Sequence, residues 1–455
     1  MSTQTRPTSR SHGTPVAAEA PSEGRPAGPT IVASVVAGAV ATLVLALVVF
    51  AGGTETTITG AVLLGFGFGW ALMASLTVRR TRQPQQWAVV PAVAMGATGA
   101  ALVVSAPSNQ SLTALNWVWP PLMVALAGWM FVQMRRSVTG KARWVLAGVI
   151  TVLVLAPIGA TYDNTARIGA TEYAAPGTLH DVGGHRLHLD CRGDGSPTVV
   201  LSNGLGGVSA GWARIAGPVA GTTRVCAYDR AGQGWSDEAA SPRDGVESAE
   251  DLHALLGAGG EHGPYVLVGH STGGTYAMTY AARYPDQVAG MLLLDSSSPE
   301  QFSLMPAYPG QYAMLRRVTA LLPTLSRLGL GQIPAPSHLP ATDAAKVAAI
   351  TSTPQYYRNQ RDEWSAIPEV FAQARTLTTL DRPLAVLTAS ATSARTAGWD
   401  GAQDQLAALS TNSFRRTVDS THEGLLEDIG PAGAAVRAIT EVVSSVRTGR
   451  PLPSR

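Results

Sequence analysis

YVLVGHSTGG, residues 265–274, sets a serine between an apolar, strand-like run and a stretch of helical composition. A serine held where a strand turns sharply into a helix occupies a strained backbone conformation, and glycines two residues to either side are needed because side chains there would collide with neighbouring chain. Gly269 and Gly273 occupy those positions. The amino terminus of the following helix favours the negative charge that develops in acyl transfer. Ser271 is therefore the candidate nucleophile. The competing reading is a glycine-rich turn without chemistry, because G-x-S-x-G also arises by chance in ordinary loops.

Outward from this turn, strand-like runs alternate with helix-like ones, the pattern of a mostly parallel sheet covered by helices. A hairpin comes first, with Gly183-Gly184 as its turn and Leu187, Leu189 and Cys191 on one face of its second strand. Further strands are expected over Thr198–Leu201, Arg224–Tyr228, Tyr265–Val268, Met291–Leu294, Leu384–Thr388 and Phe414–Val418, with a last amphipathic helix over Ala432–Val446. The expected fold class is α/β, a doubly wound sheet.

Four motifs occur in a fixed order: VVLSNGLGG at 199–207, AYDRAGQGWSD at 227–237, the serine turn, and a late histidine before the last helix. In these, the chain from about Thr178 to Val446 resembles the α/β-hydrolase superfamily. The resemblance implies an eight-stranded sheet with a helical cap and a Ser-His-acid triad. His422, in Ser420-Thr421-His422-Glu423, stands where the family keeps its base, which takes the proton from the serine and later returns it to the leaving group. The other histidines read as surface or packing residues, and His270 is expected to point away from Ser271 into packing around the turn. The commonest family pattern puts the acid just after the seventh strand, yet ATSARTAGW at 391–399 has no acid before Asp400. A subset of the family takes it from the end of the sixth strand, and Asp295 follows Leu292-Leu293-Leu294 there, so Asp295 is preferred over Asp400. The plain alternative for Asp295 is a turn cap on Ser296–Ser298. The family's oxyanion donors are two backbone N–H groups, which map onto Leu205 and Thr272, with Asn203 where histidine is usual.

The segment 297–380 carries helical stretches, prolines and aromatics, including Tyr308, Tyr312, Tyr356, Tyr357 and Trp364. The resemblance implies a cap that shapes the substrate pocket; ordinary core packing is the default for any one aromatic. The family's sheet order sets the second strand beside the fourth, making Cys191 and Cys226 neighbours, either as a disulfide or as buried thiols. No metal is expected, because there is no His-x-x-x-His, Cys-x-x-Cys or carboxylate cluster at ligand spacing, and no nucleotide loop or other cofactor motif occurs.

The first third has a different composition. Residues 1–30, rich in Ser, Thr, Pro, Gly and Arg, read as a disordered cytoplasmic tail. Residues 31–161 read as a transmembrane block: Ile31–Ala51, Ile58–Val78, Trp87–Val104, Leu115–Met134 and Trp144–Ala160 contain no Asp, Glu, Lys or Arg, and each is near the ~20 residues that cross a bilayer core. Buried soluble helices are the alternative. Arginines and a lysine cluster in the tail, at 79–82 and at 135–143, whereas the intervening connections have none. Basic loops are retained in the cytoplasm, so an odd number of spans exports the remainder of the chain. Residues 162–176 are then a linker and 177–450 the hydrolase-like domain. The net charge of +2, with basic residues confined to loops, does not suggest nucleic acid.

The expected function is a cell-membrane serine hydrolase that cleaves an ester, or less readily an amide, of a small molecule or lipid through an acyl-serine intermediate on the extracytoplasmic side. An acyltransferase uses the same triad and differs in keeping water from the acyl-enzyme. A binding or sensing module on a hydrolase fold is the reading from another class.

Overall fold

Five helices long and apolar enough to cross a membrane open the computed structural model, which describes residues 25–170, 173–333 and 336–453. They are α1 (Ala27–Val44, extended by a wider turn over Leu45–Val49), α2 (Glu55–Arg80), α3 (Val89–Ser105), α4 (Asn109–Ser137) and α5 (Ala142–Ala170). Their outward faces carry large apolar side chains such as Val40, Leu43, Val48, Leu122 and Leu155. That is the inverse of a water-soluble bundle and suits a lipid solvent. Small residues let the backbones close up: a Cβ on Gly38 of α1 would stand 2.9 Å from the Cα of Gly69 on α2.

Two boundaries differ from the sequence reading. The expected tail of residues 1–30 lies outside the described residues only through 24, because α1 already begins at Ala27. Pro29 does not prevent this, since the first turn of a helix has no internal partner for its N–H groups. The expected linker, 162–176, is helical over its first nine residues, as α5 runs on to Ala170. Hydrogen bonding along a helix does not stop where the apolar run stops. The polar residues beyond it find partners, Asn116 of α4 donating to Asn164 Oδ1 at 2.8 Å.

The second part is an eight-stranded sheet in the order β1-β2-β4-β3-β5-β6-β7-β8. Its strands are β1 (Thr178–Asp181), β2 (Arg186–Arg192), β3 (Val199–Ser202), β4 (Val225–Tyr228), β5 (Tyr265–His270), β6 (Val288–Leu294), β7 (Leu384–Ala389) and β8 (Ser413–Val418). β2 is antiparallel to both its neighbours, and β3 to β8 run parallel. The central strands are buried at every position, as a sheet covered on both faces requires. One core packs Leu267, Leu293 and Val386 under Leu252 and Met278; the other packs Val268, Leu292 and Leu387 under Ile439 and Val442. This is the α/β-hydrolase architecture, with helices between β6 and β7 forming a cap.

Cys191 and Cys226 face each other in register on β2 and β4 and form a disulfide. The bridge closes a segment with a sequence separation of 35, for which chain entropy gives about 4 kcal/mol of stabilisation. Replacing both cysteines by alanine is expected to lower the thermal midpoint of the purified protein, and dithiothreitol is expected to do the same to the wild type only. An unchanged midpoint in both cases would show that the bridge contributes nothing.

Candidate active site

Ser271 stands at the end of β5 with φ 55° and ψ −126°, a conformation that L-residues rarely adopt, and the helix Thr272–Arg283 begins at the next residue. The strain is held by hydrogen bonds on both sides. Ser271 N–H donates to Leu294 O (3.1 Å), while the Ser271 carbonyl accepts from Ser297 N–H (3.0 Å) and Ser296 Oγ (3.1 Å). The flanking glycines are required on steric grounds: a Cβ on Gly273 would overlap the carbonyls of Ser202 and Asn203, and one on Gly269 would overlap the backbone of Gly273 and Gly274.

Ser296 and Ser297, which bind the Ser271 carbonyl, follow β6, where Asp295 is the second non-glycine residue of this part with positive φ, 40°. Its carboxylate is fully buried and accepts four hydrogen bonds. His422 Nδ1–H donates to Oδ2 at 2.7 Å and Thr392 Oγ1 at 2.6 Å; Trp399 Nε1–H donates to Oδ1 at 2.8 Å and the Ala389 N–H at 3.1 Å. Burial pushes the Asp295 carboxyl up, but these donors and the charge of His422 outweigh it and hold the group below its ordinary value. Asp400, the alternative acid, is elsewhere: its exposed carboxylate pairs with Arg415 and accepts from Ser393 Oγ at 3.0 Å.

With Nδ1–H committed to Asp295, His422 presents its Nε2 as the free acceptor. Burial lowers the imidazole pKa, yet the bond to Asp295 and the charges of Glu423 and Asp295 prevail and raise it above the ordinary 6.5. His270 is buried against His422. Its ring lies 4.5 Å from that of His422, centroid to centroid, and its Nε2–H donates to the His422 carbonyl at 3.1 Å. Burial and the neighbouring His422 charge push His270 down to about 4, so it is a neutral donor that fixes the loop carrying His422. Among the described residues no hydrogen bond joins Ser271 Oγ to His422; His422 is held by Asp295 and lies against the ring of His270, the residue before Ser271.

Leu205 follows β3, and Thr272 opens the helix behind Ser271. Within the described residues no hydrogen bond uses the N–H of either residue. A Cβ on Gly204 would lie 2.8 Å from the Ser271 Cβ, so this loop runs directly beside the serine.

A clamp on this loop is absent from the sequence reading. Arg230, buried, donates from Nη1 to Asn203 O at 2.6 Å and from Nη2 to Gly204 O at 3.2 Å. Its Nη2 also pairs with Glu363 Oε1 of the cap helix Pro354–Ala374 at 2.6 Å, and Glu363 Oε2 accepts from Gly206 N–H at 3.3 Å. The guanidinium lies 4.2 Å from the ring centre of Tyr276. Asn203, standing where histidine is usual, donates from Nδ2 to Tyr228 O at 3.0 Å. The only signal in the sequence is Arg230 itself within the glycine-rich 229–237 run; its partner is 133 positions away.

An apolar cluster roofs the site. Leu205 packs with Phe302, Tyr308, Tyr312, Trp364 and Phe371, so the cap's aromatics and the loop beside the serine share one surface. As to metals, among the described residues one group, Cys191, Cys226 and Glu261, has ligand-like proximity. Its sulfurs are bonded to each other and Glu261 pairs with Arg224 at 2.6 Å, so no ligand set remains there.

The family model described as alpha/beta hydrolase fold matches residues 197–429. An uncharacterized protein of Schizosaccharomyces pombe is 28% identical over 215 residues, covering 46% of this chain and 39% of its own length. Lipase LipV of Mycobacterium tuberculosis is 40% identical over 110 residues, 24% of this chain and 41% of the lipase. The chain thus spans about two fifths of the length of these relatives. A protein of Nostoc sp PCC 7120, provisionally assigned to the alpha/beta hydrolases, superposes with a TM-score of 0.51 at 17% identity, over 60% of this chain and 99% of that one, a likeness of fold alone.

Proposed function

The chain belongs to the alpha/beta hydrolase fold family, and on that premise we propose that it is a membrane-bound serine hydrolase that cleaves esters through an acyl-serine intermediate. The observation that carries the reading is the 2.7 Å bond between Asp295 and His422 beside a serine held at positive φ. In this scheme His422 Nε2 accepts the Ser271 hydroxyl proton as Oγ attacks the acyl carbon. The tetrahedral oxyanion is met by the free N–H groups of Leu205 and Thr272 at a helix amino terminus. Collapse expels the alcohol, which takes the proton from His422. Water, deprotonated by the same nitrogen, then releases the acid and restores Ser271.

The aromatic surface beneath the cap favours an apolar acyl or alcohol group, and five apolar helices favour a substrate that is a lipid or meets one. We place the hydrolase domain on the extracytoplasmic side of a cell membrane. The basic clusters at 79–82 and 135–143 support that side, and so does the Cys191–Cys226 bridge, which persists in oxidising compartments.

The test is labelling of spheroplasts with a membrane-impermeant fluorophosphonate. Labelling of the wild type and none of Ser271→Ala is the expected result. Labelling only after lysis would reverse the topology, and no labelling of the folded protein even in detergent lysates would end the serine-hydrolase reading.

The pH profile follows from the base. The reaction needs neutral His422, so kcat/KM is expected to rise with pH and to reach half its plateau above 6.5, the ordinary imidazole value. A half-point below that value would contradict the Asp295–His422 pairing as the controlling ionisation.

A further inference from the structure

A cavity of about 400 Å³ lies where the membrane helices, the cap and the hydrolase domain meet, on the far side of the Arg230 clamp from the serine loop. Its walls include Gly52 and Thr54 from the turn joining α1 to α2, and residues of the cap helix Pro354–Ala374. Five of the lining side chains are arginines and three are carboxylates. The carboxylates are already engaged: Glu363 with Arg230 at 2.6 Å, Glu238 with Arg358 at 3.2 Å, and Asp362 with its neighbour Arg361. Arg316, which also lines the cavity and lies against Gly52, therefore has no carboxylate left to pair with there.

Two further donors are unused. Arg361 is only 7% exposed, yet its Nε–H has no hydrogen-bond partner among the described residues, and neither has the buried Nδ2 of Asn359. Buried polar groups are almost always paired, because an unmade hydrogen bond to a charged donor is costly. Arg361 and Asn359, each with a buried donor unused, line the same cavity as Arg316, and together they call for a negatively charged group with several acceptor oxygens.

We infer that this cavity binds a phosphoryl anion, carried by a lipid head group or free in solution. Guanidinium groups suit such an anion because their fork of N–H donors matches two of its oxygens. Because Gly52 and Thr54 belong to the turn between two membrane-crossing helices, the cavity stands at the depth of lipid head groups. The site does not depend on the ester chemistry or on which side of the membrane the domain lies.

The full chain in non-ionic detergent, titrated calorimetrically, provides the test. The probes are a short-chain diether phosphatidylglycerol, which no esterase can cleave, the corresponding diether glycerol without phosphate, and inorganic phosphate. Saturable binding of the phospholipid is expected, weakened at least about tenfold in both Arg316→Gln and Arg361→Gln. Arg316 is exposed, so its variant separates lost binding from lost folding. Inorganic phosphate binding with the same dependence on both arginines assigns the site to the free anion; binding of the phospholipid alone assigns it to a head group. The inference fails if neither phosphate-bearing probe binds saturably, if the phosphate-free diether binds as well, or if wild type and both variants bind equally.

Discussion

Asp295→Asn is expected to reduce ester turnover by about 10⁴-fold while the protein stays folded and its substrate binding is little changed. The carboxylate accepts four hydrogen bonds, and the one from His422 fixes which imidazole nitrogen carries the proton. An asparagine amide can turn its NH2 toward His422 Nδ1. The ring then carries its proton on Nε2, and the nitrogen that must accept from Ser271 becomes a donor. An amide has no charge to balance the imidazolium that forms, so the inflection of whatever activity survives should move to lower pH. Steady-state kinetics across pH, with circular dichroism to verify the fold, check this. Turnover within tenfold of the wild type would remove Asp295 from the mechanism. The same substitution at Asp400 should leave turnover near the wild-type value, since that side chain serves Arg415.

Arg327→Leu is expected to loosen the cap from the membrane helices by about 3 kcal/mol. Glu55, at the start of α2, is buried, and Arg327 of the cap helix Leu322–Arg327 pairs with it while donating from Nη2 to Asn109 Oδ1 at 2.7 Å. Arg358 adds a second contact to the same carboxylate at 3.3 Å. Removing Arg327 leaves a buried charge with half its partners, and that, more than the lost attraction, sets the cost. Hydrogen exchange should accelerate in Leu322–Arg327 and in the first turn of α2. Combining the change with Glu55→Gln should cost less than Arg327→Leu alone, because the stranded charge is gone. Unchanged exchange in both segments would mean that apolar packing around Ala46, Ile58 and Ala320 holds the cap without help.

How much of this was legible in the sequence depends on the range of each interaction. Strand runs such as Leu292-Leu293-Leu294 and the five apolar helices announce themselves locally, because burial on both faces or in lipid demands uninterrupted apolar residues. The serine turn is equally local. Asp295 and His422 were reached through the resemblance, and the structure sets them 2.7 Å apart across 127 residues. Trp399 and Thr392, which complete the shell around Asp295, carry no pattern, since any side chain with a donor at that depth would read alike. Arg230 with Glu363 and Glu55 with Arg327 join loops and helices 133 and 272 positions apart, and only the folded topology brings them together. Helix ends escaped for another reason. Composition marks where the apolar run ends, whereas a helix continues as long as its backbone hydrogen bonds do, which for α5 is to Ala170.

That continuation carries α5 as far as the cap. Its 29 residues rise about 43 Å, more than the ~30 Å of a bilayer's hydrocarbon core. The remainder reaches beyond the apolar run to the cap, where Asp163 accepts from Gln332 Nε2 at 3.0 Å. A one-residue change in this stretch would turn Asp163 away from Gln332 and remove one tie between the helices and the cap while leaving Arg327 and Glu55 in place.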